Sequence, residues 1–122
     1  MPNTREFVDH VREMMRGGAR EASTRAMFGG HGVYVGGLFV AIIANDVLFL
    51  RADERSVGRF DALGLEPFEF ATKDGRRQAM SYRRAPDDAL ESPAAMAPWL
   101  AGALDAALRA AAAKPASRRR PR

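Results

Sequence analysis

The chain has 122 residues, 47% apolar and 28% charged, a composition suited to one soluble domain that buries a core without staples. It has no cysteine, which excludes a disulfide framework, a zinc ribbon and a thiol nucleophile. Of 19 basic residues, Lys114, Arg118, Arg119, Arg120 and Arg122 stand at the end, so residues 1–113 carry 14 against 15 acidic ones and are no uniformly basic groove.

Asn3-Thr4-Arg5-Glu6 reads as a helix start, with Asn3 or Thr4 as N-cap and Glu6 placed to close a capping box with Asn3. Phe7, Val8, Val11, Met14 and Met15 make one apolar face, and Gly17-Gly18 ends the helix. Strands are predicted near Ser23–Phe28, Val33–Val35, Leu38–Ala44 and Val47–Arg51. Gly29-Gly30-His31-Gly32, Gly36-Gly37 and Asn45-Asp46 serve as turns between them. The run Val40–Ala44 alternates weakly, as a central strand partly covered on both faces does.

Asp53 is the expected cap of a short helix to Leu63, with Val57, Phe60 and Leu63 inward and Gly64 as the stop. Pro67–Thr72 and Gln78–Tyr82 read as two further strands joined by a turn at Lys73-Asp74-Gly75-Arg76. Asp87–Leu90 predicts one helical turn, and Ser92-Pro93 caps a last helix. Met96, Trp99, Leu100, Ala103, Leu104, Ala107 and Leu108 form its stripe, and Pro98 predicts a kink or a late start.

The fold class is therefore α+β: a mainly antiparallel sheet of about six strands with an N-terminal helix, a short middle helix and a C-terminal helix. One domain over 1–113 and a disordered basic tail over 114–122 are expected. The longest apolar run, Leu38–Ala44, is too short to span a bilayer, and no signal-peptide stretch opens the chain. A cytoplasmic protein without membrane association is the expectation.

Chemistry is sparse in this pattern. His31 has the residue type of a base or ligand, but no carboxylate or hydroxyl is spaced to it, and a polar turn residue explains it as well. Gly29–Gly32 leads into a strand and lacks the Gly-Lys-Ser/Thr of a phosphate loop. Ser81 lacks a nucleophile elbow, and the acids and two histidines have no metal-ligand spacing. No catalytic residue, metal or cofactor is assigned. Arg76, Arg77, Arg83 and Arg84 flank the strand Gln78–Tyr82, with Tyr82 placed to stack on a base. They read either as a nucleic-acid patch or as a charged edge that discourages aggregation. The tail cations Lys114, Arg118, Arg119, Arg120 and Arg122 are a nucleic-acid contact worth at most about five phosphates, or a solubilising terminus.

Two blocks resemble the N-terminal domain of the TfoX/Sxy family of bacterial competence regulators. The first is Met27-Phe28-Gly29-Gly30-His31-Gly32-Val33-Tyr34 with Gly37-Leu38-Phe39 and Leu48-Phe49-Leu50-Arg51-Ala52-Asp53. The second is Pro67-Phe68, Met80-Ser81-Tyr82 and Pro86…Leu90-Glu91-Ser92-Pro93…Trp99. Arg83-Arg84 departs from the pattern where a further aromatic is expected. In the competence regulators a second, helical domain follows and the pair acts with a cyclic-AMP-responsive activator at promoters; this sequence is expected to lack that second domain.

The resemblance implies a non-enzymatic regulatory or adaptor domain in transcription or competence regulation. Its expected partner is a protein, a transcription factor or polymerase component, met through an exposed sheet edge or helix face. The tail would add weak DNA or RNA contact. The alternatives are direct nucleic-acid binding by the arginine cluster and a small-molecule enzyme centred on Gly29–Gly32.

Overall fold

The computed structural model describes residues 3–16, 21–27, 29–71 and 77–113, with only the backbone described at 70–71 and 77–80. Helix α1 (Arg5–Met14) is capped by Thr4, whose hydroxyl accepts from the Phe7 N–H at 3.2 Å, and it buries Val8, Val11 and Met14. The expected box between Glu6 and Asn3 does not form. Asn3 turns to the sheet instead: its Nδ2 donates to the Ile43 carbonyl (2.9 Å) and its Oδ1 accepts from the Asp46 N–H (2.8 Å). Asp46 returns a bond, its Oδ1 accepting from the Thr4 N–H at 2.7 Å. A long-range set of bonds has won over a local cap and pins the start of α1 to a hairpin. The expected helix stop at Gly17-Gly18 lies outside the described residues.

The sheet has six antiparallel strands: β1 (Ala22–Met27), β2 (Gly30–Val35), β3 (Leu38–Ala44), β4 (Val47–Arg51), β5 (Pro67–Ala71) and β6 (Arg77–Arg84). Their order is β1-β2-β3-β4-β6-β5, so β6 fills the place beside β4 and leaves β5 at the edge. Gly36-Gly37 (φ 58° and 83°) and Asn45-Asp46 (φ 53° and 59°) make tight turns of positive φ, the conformation that matches the twist of paired strands. The expected turn Lys73–Arg76 lies outside the described residues.

The Gly29–Gly32 reading needs correction. Only Gly29, at φ 75°, has turn geometry; Gly30, His31 and Gly32 already belong to β2. Gly30 is bare because a Cβ there would collide with the backbone carbonyl of Ile43 on β3. Gly32 is bare because the side chains of Met27 and Phe39 close over it. These glycines serve close approach, not a turn.

Helix α2 (Val57–Ala62) begins later than expected, because the Asp53 carboxylate accepts from the Arg55 and Ser56 N–H groups and forms a separate turn ahead of it. Phe60 is buried as expected, but Leu63 lies beyond the helix and is 58% exposed. A 3-10 turn (Asp87–Leu90) leads to α3 (Pro93–Ala113), whose Ser92 hydroxyl accepts from the Ala95 N–H at 3.0 Å. The helix continues through Pro98, which sits on its exposed side, so the expected late start does not occur. Its buried face holds Met96, Leu100, Ala103, Ala106 and Ala107, whereas the expected Leu108 is 49% exposed.

All three helices cover one face of the sheet. Val33, Val35, Val40, Ile43, Leu48 and Leu50 meet Val8, Val11, Met15, Phe60, Met96 and Leu100 in the main core. Strand alternation sends Ile42, Phe49 and Tyr82 to the opposite face, where they pack with Phe39, Val47 and Phe68; among the described residues no helix joins that cluster. As expected, β3 is partly covered on both faces: the helices lie over one, and Ile42 is buried among neighbouring side chains on the other while Phe39 stays half-buried.

Candidate binding surfaces of the sheet

The helix-free face carries a row of side chains that runs across the strands. The register sets Tyr34 of β2 against Phe39 of β3, and their rings lie nearly parallel, with centroids 5.0 Å apart and 19° between planes. Phe39 meets the Tyr82 ring at 5.7 Å. At one end of the row the Arg25 guanidinium lies 5.7 Å from the Tyr34 centroid; toward the other, Arg51 lies 5.9 Å from that of Tyr82. Arg51 is held in place by donating to the Phe39 carbonyl at 3.1 Å.

Of the arginines singled out by sequence, Arg83 and Arg84 have described side chains, and these two part to opposite sides of the sheet. Arg76, Lys114, Arg118, Arg119, Arg120 and Arg122 lie outside the described residues. Arg77 opens β6 and Arg83 and Arg84 close it, about 20 Å apart along an extended strand. Alternation sends Arg83 to the helix side, where it is 17% exposed, pairs with Asp61 at 2.5 Å and donates to the Leu65 carbonyl at 2.6 Å. Arg84 pairs with Glu66 at 3.3 Å. Tyr82 is 5% exposed under the Phe39 ring, and burial raises the pKa of its hydroxyl, so its expected role as a free stacking platform is withdrawn.

Of the family-motif residues, Phe28 lies outside the described residues, and Gly29, Gly30, Gly32 and Tyr34 are placed above. His31 faces the helix side, where Asn3 Nδ2 donates to its Nδ1 at 2.8 Å; no carboxylate joins them. This contact fixes the ring against the N-terminus of α1. Ser81 borders an open cleft of about 300 Å³ with Asp53, Arg55 and Arg109, and neither His10 nor His31 lines it. Among the described residues no three His, Asp or Glu side chains are grouped to hold a metal ion. No helix there is long and apolar enough to cross a membrane.

Sequence reasoning missed a two-bond charge pair. Asp53, two residues past the end of β4, receives two bonds from Arg109 near the end of α3, at 2.7 and 2.9 Å, across 56 residues. The Arg109 hydrogen bond is the main cause that lowers the Asp53 pKa from 3.8 to about 2. The folded carboxyl is the stronger acid, so the pair's contribution is full above about pH 4 and is lost as pH falls toward 2. Both groups are about one-third exposed, and with solvent screening the contribution is about 1 kcal/mol. Urea titrations should therefore find Asp53→Asn about 1 kcal/mol less stable than wild type at pH 6, with the gap closing by pH 2. An unchanged gap at low pH would show that the pair is not its source.

The two sheet edges differ. The outer strand β5 starts at Pro67, carries Glu69 and has a register irregularity between them, all features that discourage strand addition. Edge strand β1 is Ala-Ser-Thr-Arg-Ala-Met, with no proline, no bulge and one charge. Among the described residues it pairs only with β2.

The family model of the TfoX N-terminal domain matches residues 14–107, from the end of α1 through all six strands and most of α3. No curated protein matches the chain. The match spans most of the chain and takes in both motif blocks and the sheet they build: this protein belongs to the TfoX N-terminal domain family, a regulatory, competence-related domain.

Proposed function

We propose that this protein is a non-enzymatic regulatory adaptor that acts in transcription by holding a protein partner, a transcription factor or polymerase component, at edge strand β1. The observation that carries the reading is the contrast between the guarded edge β5 and the open edge β1. A partner segment that adds a strand to β1 gains main-chain hydrogen bonds, while the alternate side chains of β1 select it. The basic residues Lys114 to Arg122 add sequence-independent attraction to DNA or RNA near such a partner.

Successive N–H groups of a strand point to alternate sides, so of Ser23 and Thr24 one donates toward β2 and the other outward. Proline at the outward position removes one edge donor and leaves the sheet intact. Of Ser23→Pro and Thr24→Pro in the full chain, the variant that keeps the wild-type melting temperature should lose capture of the transcription component that the wild type retains. Full capture by that variant would reject β1 as the contact.

A further inference from the structure

We propose that the helix-free face of the sheet is a binding platform for single-stranded RNA, distinct from the main-chain edge of β1 although β1 contributes Ser23 and Arg25 to it. Three features of the row choose this occupant. Tyr34 and Phe39 are half-buried rather than covered, and their rings stack on each other, so what they present to solvent is the uncovered remainder of an aromatic stack on a face that no described helix covers. Unpaired bases stack on such side chains whatever their sequence, and sheet modules that bind RNA hold two or three bases in this way.

The charges on the face fit a phosphate backbone. Among the described residues neither Arg25 nor Arg51 pairs with a carboxylate. They stand on β1 and β4, three strands apart, about 14 Å at ordinary strand spacing, on either side of the Tyr34 and Phe39 rings. Arg25 is held beside the half-buried Tyr34 ring, so cation and aromatic surface are presented together at that end, as single-strand grooves present them; Arg51, beside the buried Tyr82, offers its charge alone. The third feature is polar. Ser23 is exposed and paired in register with Tyr34, so two hydroxyl groups stand on this face at the end nearest Arg25. Hydroxyl groups donate to and accept from a ribose 2′-OH, the group that distinguishes RNA from DNA.

The site is independent of the arginines of β6, two of which are committed to Asp61 and Glu66. The basic residues Lys114 to Arg122 attract any polyanion, so the variants below are compared within the full chain.

The test is fluorescence anisotropy of a labelled single-stranded RNA of mixed sequence with the full chain, across a salt series. Tyr34→Leu keeps apolar cover but removes the ring, and roughly tenfold weaker binding is expected. The double variant Arg25→Ala/Arg51→Ala should also bind roughly tenfold more weakly, with a log–log salt slope shallower by about 1.4, the loss of two phosphate contacts on a single strand. Arg25→Glu alone, on an exposed side chain, serves as the arm that leaves the fold intact, checked by thermal melting; it too should weaken binding. Wild-type affinity in the folded arginine variants would overturn the proposal and assign binding to the tail. Equal or tighter binding of single-stranded DNA of the same sequence would overturn the choice of RNA. Competition by polyglutamate as effective as by unlabelled RNA would overturn the platform in favour of an acidic protein surface.

Discussion

Gly30→Ala should destabilise the protein by about 3 kcal/mol, whereas Gly29→Ala, one residue earlier, should cost about 1 kcal/mol. The two glycines exist for different reasons. Gly29 has φ 75°, and a Cβ there meets nothing within 4 Å, so alanine brings only the conformational penalty of the left-handed region. Gly30 is buried and its added Cβ would overlap the Ile43 carbonyl. Backbone cannot rotate aside as a side chain does, so β2 and β3 must separate and strain an interior pairing of the sheet. Thermal melting should place Gly30→Ala roughly 10–15 °C below wild type and Gly29→Ala much closer to it. The reverse order would restore a four-residue glycine turn and contradict the register of β2.

The second large effect separates the two sides of α3. Met96→Ala should cost about 3 kcal/mol, because the side chain is fully buried between α3 and the sheet and its removal leaves a cavity. Leu108→Ala should fall within about 0.5 kcal/mol, since that side chain is half exposed and alanine is the better helix former. Equal losses in urea unfolding would mean that α3 is rotated from the position described.

Both cases show where the sequence was legible. Turn pairs such as Asn45-Asp46, caps such as Ser92 and the period of α1 are local, and the element order follows from them. The stripe of α3 was read correctly at Met96, Leu100, Ala103 and Ala107. It failed at Leu108 because an alanine-rich helix marks its buried side poorly, and Ala106 took a core place. The glycines of β2 look like turn residues because local spacing cannot show that Ile43, Met27 and Phe39 crowd them.

The candidate surfaces were less legible for the same reason. Arg83 and Arg84 are neighbours in sequence and stand on opposite sides of the sheet, each with its own acid. Arg25, Tyr34, Phe39 and Arg51 are scattered in sequence and assemble only through strand register. Asp53 and Arg109 meet only once the chain has closed. The open edge of β1 is visible only when the strand order is known, because nothing in its six residues says that β5, and not β1, is the guarded one.

Amide hydrogen exchange of the full chain, free and with its captured partner, tests the adaptor reading most directly. The edge-strand account predicts that slowing on binding concentrates in Ala22–Met27, with β5 and the exposed side of α3 unchanged. Slowing confined to α3 or to β5, with β1 exchanging as in the free protein, would contradict it.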